Sequence, residues 1–270
     1  MSVALVQGGG GSLGSNFARH LLARTSLNVV ATSRDVGASK SSILSGMDKH
    51  ADRLTVLEVD ARDEATIEKA ASTVKERFGS GSLRLLLNVS GVLHADKSIT
   101  QVSMKELQHN FEINTFAHLL TYKHFMGLLP KNADIRKAKE RGHKDLANGV
   151  VREDLSVLVS LTARVGSIGD NTKGGWIGYR SSKAATNQII MTLQRELELR
   201  ATPSIAVALH PGTVVGTNLS AKWTNESDAG KKNGVFNAED STQRLLDVIS
   251  GLGEKDGGRF LDWAGKEIPW

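Results

Sequence analysis

The chain has 270 residues, 40% hydrophobic and 23% charged, with a formal net charge of +5. It contains no cysteine, which excludes disulfides, thiolate nucleophiles and cysteine-based zinc sites. The positive charge is dispersed: its densest group (Lys131, Arg136, Lys137, Lys139, Arg141, Lys144) is diluted by Asp134, Glu140 and Asp145, which fits a solvated insertion rather than a nucleic-acid surface. No apolar run approaches the ~20 residues that cross a bilayer. Residues 2–7 run straight into glycines, as a first strand does and a signal peptide does not, so a cytoplasmic protein with no nucleic-acid or membrane partner is expected.

Short apolar runs then alternate with longer amphipathic ones. Strands are predicted at 3–6, 27–32, 54–59, 83–89, 155–161, 205–209 and 258–261, and helices at 13–23, 65–78, 105–129, 179–200 and 241–250. Leu85-Leu86-Leu87 and Val157-Leu158-Val159 lack polar alternation, as strands buried on both faces require. Regular strand–helix alternation implies the α/β class, a doubly wound parallel sheet with helices on both faces. A single domain over 1–270 is expected, with an insertion near 131–154 and a mobile polar segment near 220–238 on the substrate side.

The first strand ends in Gln7-Gly8-Gly9-Gly10-Gly11-Ser12-Leu13-Gly14, and Gly9-x-Gly11-x-x-Gly14 satisfies the dinucleotide fingerprint in a strand–turn–helix context. Glycines there let the backbone approach a pyrophosphate seated on the helix N-terminus, which makes the domain Rossmann-type. The second strand ends in Ser33-Arg34-Asp35, about twenty residues on, where the ribose is read. A guanidinium at 34 suits the 2′-phosphate of NADP and favours it over NAD, although Asp35 could neutralise Arg34. Further along, Tyr179 and Lys183 stand four apart, on one face of a helix. An ammonium beside a phenol lowers its pKa from ~10, as a proton donor for carbonyl–alcohol interconversion requires.

Taken together, these stretches resemble the short-chain dehydrogenase/reductase family along nearly the whole chain. Gly8 and Gly14 match two of the family's three glycines, while Ser12 stands at the middle one and Gln7 replaces a usual threonine. Asp60-Ala61 matches the adenine-contacting turn, Asn88-Val89-Ser90-Gly91 resembles the turn after the fourth strand, and Asn114 matches the asparagine of the proton relay. His210-Pro211-Gly212-Thr213-Val214 resembles the loop that meets the nicotinamide, with Thr217 beyond it in a loop one residue longer than usual. Two stretches, 163–180 and 258–270, are similar to C-factor-like and sniffer-like carbonyl reductases. The resemblance implies cofactor contacts at Gly8, Gly11, Ser12, Leu13, Gly14, Ser33, Arg34, Asp60, Ala61, Asn88, Gly91, Pro211, Gly212, Val214 and Thr217, besides Tyr179 and Lys183.

By the same resemblance Tyr179 protonates the carbonyl oxygen. Lys183 lowers the tyrosine pKa and binds the nicotinamide ribose, and Asn114 holds a water linking Lys183 to solvent. A hydroxyl after the fifth strand orients the substrate. Aligned on Gly166-Ser167, Thr162 or Ala163 falls at that serine position; Thr162 is expected to serve, with Ser167 and Ser160 as substitutes, and Ala163 would leave the site depleted. His94, His109, His118, His124 and His143 show no metal-ligand spacing, so no metal is expected; His94 borders the cleft. The implied protein is an NADP(H)-dependent oxidoreductase for a small carbonyl or alcohol, a homodimer or homotetramer; the alternative is a nucleotide-sensing regulatory protein with weak or no turnover.

Overall fold

The computed structural model describes residues 1–140, 144–221 and 224–270; Arg141 and His143 lie outside the described residues, as do two positions of the 220–238 segment. In chain order the elements are β1 (Val3–Gln7), α1 (Ser12–Arg24), β2 (Asn28–Ser33), α2 (Val36–Leu44), β3 (Leu54–Glu58) and α3 (Glu64–Phe78). Then come β4 (Leu83–Asn88), α4 (Met104–Phe111), α5 (Ala117–Phe125), α6 (Asn132–Glu140), β5 (Ser156–Leu161) and α7 (Ile177–Leu199). The last are β6 (Ser204–His210), β7 (Thr213–Val214), β8 (Val235–Phe236), α8 (Ala238–Ser250) and β9 (Phe260–Asp262).

Seven strands form one sheet in the order β3-β2-β1-β4-β5-β6-β9, every pairing parallel. Every residue of β1 and β5 is buried, so these strands are covered on both faces, as their unbroken apolar runs imply. Alternation then assigns the faces. Ala4, Val6, Val157 and Val159 pack with Phe17, Leu21 and Leu22 of α1 and Leu245 and Leu246 of α8. On the opposite face Val3, Leu5 and Leu158 pack with Ile67 and Val74 of α3, Phe125 of α5 and Ile190 and Leu197 of α7. The order reverses between β1 and β4, which opens a crevice at the carboxyl ends of those strands, where such sheets bind ligands.

Three local features depart from the predicted elements. Helix α2 lies in a serine-rich stretch without an apolar stripe and is initiated by Asp35, whose carboxylate accepts the Ala38 N–H at 2.9 Å. The single helix predicted over 105–129 is instead α4, a π turn at Glu112–Phe116 and α5, followed by a 3-10 turn at Met126–Leu128. Asn114 sits in the π turn, where its carbonyl accepts the Thr186 hydroxyl at 2.6 Å. Such one-turn insertions gather at functional sites. The 220–238 stretch contains β8, which pairs parallel with β7. Among the described residues no helix is long and apolar enough to cross a membrane.

Candidate functional site

The turn after β1 is shaped by steric demand. Gly8 has φ +89°, and a Cβ there would lie 2.9 Å from the Ser90 nitrogen; one on Gly14 would lie 2.1 Å from the Gly8 carbonyl oxygen, so α1 packs onto the turn only with glycine at that place. Gly9 is closed by Ala31 at 2.8 Å. Gly11 differs: its Cβ would meet only the Gly8 oxygen, at 3.5 Å, so the protein does not require glycine there, whereas a ligand approaching the backbone does. Gly11 is the N-cap of α1, no side chain caps it, and the first turn (Ser12, Leu13, Gly14) carries no acidic residue. This cradle and a bare positive helix end fit a pyrophosphate.

At the adenosine end, β2 delivers Ser33 and Arg34. Ser33 Oγ accepts the Ser39 hydroxyl at 2.7 Å and the Asp35 N–H at 3.1 Å. Asp35 is occupied as the cap of α2, and among the described residues no ion pair joins it to Arg34. Asp60 follows β3 beside this edge, tied to it by the Val59 N–H on the Ser33 carbonyl at 3.0 Å. Its carboxylate takes three donors from Arg62, at 3.0, 3.2 and 2.8 Å, and these hold its pKa down at about 2. Ala61 lies half-buried between them. The edge thus presents the exposed Arg34 guanidinium beside a paired Asp60, a charge pattern that suits a phosphate.

The turn after β4 passes over the catalytic candidates. A Cβ on Gly91 would lie 3.5 Å from Asn114 Oδ1 and 3.7 Å from Lys183 Nζ. Asn114 is fully buried: its side chain accepts the Val92 N–H at 2.8 Å and donates to the Val92 carbonyl at 3.0 Å and Ser182 Oγ at 2.9 Å. Asn114 therefore latches this loop to α7. Asn88 is likewise buried and donates to the His118 carbonyl at 3.2 Å.

Tyr179 and Lys183 lie on one face of α7, both buried, with Nζ 6.0 Å from the phenol ring centroid. The expected lowering of the phenol pKa by the ammonium is corrected by the structure. Burial raises Tyr179, and burial pushes Lys183 down to about 7, because each charged form loses its water. Nζ donates to the Leu161 carbonyl at 3.0 Å, so near neutrality the lysine is held by a neutral oxygen and the tyrosine keeps its proton.

The three candidate hydroxyls are all engaged elsewhere. Ser160 Oγ joins Tyr122 Oη at 2.9 Å and His118 Nδ1 at 3.0 Å below the site. Thr162 is buried and turns its hydroxyl to the Lys183 carbonyl at 3.4 Å, while Ser167 donates to the Pro269 carbonyl at 2.5 Å. Ala163 is half-buried just past the carboxyl end of β5. After β6, Pro211 accepts the Ser241 hydroxyl at 2.8 Å, and Gly212 has φ +79° against the Gly234 oxygen. Val214 is buried in β7, and the Thr217 hydroxyl turns back to its carbonyl at 3.1 Å.

Some site neighbours carry no motif. His118 is wholly buried, its Nε2 3.0 Å from the Ser90 carbonyl, and burial lowers its pKa to about 3. A neutral ring with Nε2–H donating to Ser90 leaves Nδ1 to accept from Ser160, so it braces the turn after β4. Only its place four residues after Asn114, on the same helix face, signals this in the sequence. Asp96, also buried, accepts the Gly178 N–H at 3.1 Å and so caps α7. His94 and His109, which have no helical metal spacing, bond to each other at 2.9 Å.

The sequence profile described as short chain dehydrogenase matches residues 2–135. The C-signal protein of Myxococcus xanthus is 29% identical over 191 residues, covering 71% of this chain and 95% of that protein. Among solved structures, an NADPH-bound carbonyl reductase from chicken fatty liver is 30% identical with a TM-score of 0.78, covering 100% of this chain and 98% of that one. The carbonyl reductase Sniffer of D. melanogaster is 25% identical, also with a TM-score of 0.78, over 100% of this chain and 99% of that one.

Proposed function

Since the chain belongs to the short-chain dehydrogenase family, we propose that it is an NADP(H)-dependent oxidoreductase that interconverts a small carbonyl compound and its alcohol. The observation that carries this reading is the meeting, at the carboxyl ends of β1, β4 and β5, of a ligand-shaped glycine turn with a buried tyrosine–lysine pair. The glycine cradle and the exposed Arg34 fit the cofactor's phosphates. When bound, the nicotinamide supplies the hydride.

Tyr179, kept protonated by burial, donates its proton to the carbonyl oxygen as negative charge develops there. Lys183 restores that proton and holds the ribose hydroxyls. Asn114 fixes the loop above them and is the residue that would hold a relay water. The regulatory alternative fits less well, because Tyr179, Lys183 and Asn114 are all in place. Self-association is supported by the half-exposed Phe116 and Leu119 beside the outer face of α7. Reduction of a panel of reactive aldehydes and ketones, followed with NADPH and NADH side by side, tests the reading. No oxidation of either cofactor with any carbonyl sinks it.

Arg34→Ala is expected to weaken NADPH roughly tenfold and NADH less than about twofold, since an exposed charge-assisted contact to a phosphate lies at the low end of ~1.5–3 kcal/mol. Equal losses for the two cofactors in fluorescence titrations remove the assignment to the 2′-phosphate.

Lys183 adds a pH signature. Burial has lowered it from 10.5 to about 7, so between those values the ligand-free protein holds it neutral. The ribose hydroxyls it holds and the cofactor's overall negative charge raise it again, and binding takes up a proton in that window. NADPH affinity should therefore be flat just below pH 7 and fall above it, by at most about tenfold per pH unit. The 2′-phosphate, with a second pKa of about 6, does not titrate there. Lys183→Met should abolish the slope; an unchanged slope in that variant refutes the assignment.

A further inference from the structure

The loop that leaves β6 starts beside the tyrosine–lysine pair. The Thr162 N–H donates to the Leu209 carbonyl at 2.9 Å, and Lys183 Nζ donates to the Leu161 carbonyl, so the carboxyl ends of β5 and β6 border the same place. A dinucleotide that rests its pyrophosphate on the turn after β1 and offers its hydride beside Tyr179 has its reacting end next to residues 211–214. This loop lies outside the seven-stranded sheet. Its strand β7 has two residues and pairs with the two-residue β8 in a separate sheet. An isolated two-stranded pair is marginally stable at best, so its placement depends on side-chain packing.

That packing is a stack of rings. The Thr213 N–H donates to the Gly234 carbonyl at 2.7 Å, and the Val215 N–H to the Phe236 carbonyl at 2.9 Å. A Cβ on Gly212 would lie 2.7 Å from the Gly234 oxygen and 2.9 Å from the Phe236 ring, so the loop backbone rests directly on both. One on Gly234 would lie 3.2 Å from Nε1 of Trp263, in the turn after β9. The buried Phe236 meets the Trp263 indole edge to face, ring centroids 4.8 Å apart at 69°. The exposed Arg244 of α8 closes the stack, its guanidinium carbon 4.8 Å from the Phe236 centroid and 5.6 Å from that of Trp263. Such ring pairs and cation–ring contacts add to what burial alone contributes.

We propose that Phe236, seated between Trp263 and Arg244, is a positioning residue for the nicotinamide half of the cofactor. The stack ties the 211–214 backbone to two rigid elements, α8 and β9, and fixes it in its binding form before the cofactor arrives. Affinity then follows the fraction of molecules whose loop is already seated. The adenosine half is served from the other side of the sheet, by Ser33 and Arg34 at the end of β2, and makes no use of the stack. This inference rests on the oxidoreductase reading.

The competing explanation is that Phe236 is ordinary core. Removing its ring would then lower stability, and the protein that stays folded would bind every ligand as before. Phe236→Ala, titrated with NADPH and with 2′,5′-ADP, separates the two, because 2′,5′-ADP carries the adenosine and its 2′-phosphate but no nicotinamide. NADPH should weaken roughly tenfold and 2′,5′-ADP less than about twofold. Should the alanine variant fail to fold, Arg244→Met keeps the aliphatic stem and removes the cation. NADPH should there weaken about threefold against 2′,5′-ADP, an exposed cation–ring contact being worth about that much. A folded variant in which the two ligands change alike, 2′,5′-ADP changes more, or neither changes overturns the inference and leaves the oxidoreductase reading standing. A wild-type protein that binds neither ligand removes both.

Discussion

Tyr179→Phe is expected to lower NADPH-dependent carbonyl reduction by about 10³-fold while changing NADPH affinity less than about twofold, since general acid catalysis contributes ~10²–10⁴-fold. Phenylalanine keeps the ring, its burial on α7 and its edge contact with Trp176, and removes only the transferable proton. The buried phenol of the ligand-free site is protonated well above neutrality, which suits a donor in the reducing direction. Alcohol oxidation needs the phenolate, so the wild-type oxidation rate should climb with pH over a range where reduction does not. Single-turnover absorbance measurements in both directions, with NADPH titrated by fluorescence, separate chemistry from binding. Wild-type-like turnover in the phenylalanine variant would rule out the tyrosine as acid; a large loss of NADPH affinity would show that the hydroxyl serves binding instead.

What the sequence made legible follows how local the determining physics is. The parallel sheet was readable because strands covered on both faces must be apolar throughout, as β1 and β5 are. The Gly8–Gly14 turn and the Tyr179–Lys183 face were readable because spacing along one element sets them. Helix α2 escaped notice because its start is the Asp35 cap rather than an apolar stripe. The π turn at Asn114 and the left-handed Trp176 were invisible for a different reason: each is imposed by partners distant in the chain, Ser182 and Thr186 in the first case, Asp96 in the second. Protonation was misjudged for the same cause. Four-residue spacing predicts an ammonium acting on a phenol, but it carries no information on how deeply both groups are buried, and burial dominates both.

Ala163→Ser is expected to raise kcat for carbonyl reduction by about 10²-fold, because one well-placed donor to a developing oxyanion is worth ~10²–10³-fold. Each of the three candidate hydroxyls has a protein partner in the ligand-free site. Ser160 lies beneath the site with Tyr122 and His118, Thr162 faces the Lys183 carbonyl, and Ser167 holds the segment at Pro269. Ser160 and Thr162 share one side of the extended chain, toward α5 and α7, and position 163 falls out of that alternation. Ala163 has φ −140° and ψ 144°, ordinary extended backbone that serine adopts without strain. A serine there would share the substrate oxygen with Tyr179, so the gain should appear in kcat and leave NADPH affinity alone. Thr162→Val provides the counter-test: it preserves shape and deletes the hydroxyl, and turnover should change less than about threefold, since no transition-state contact is removed. A loss of two orders of magnitude in Thr162→Val, with no gain in Ala163→Ser, would instead make Thr162 the group that orients the carbonyl, and its bond to Lys183 a resting arrangement that substrate displaces.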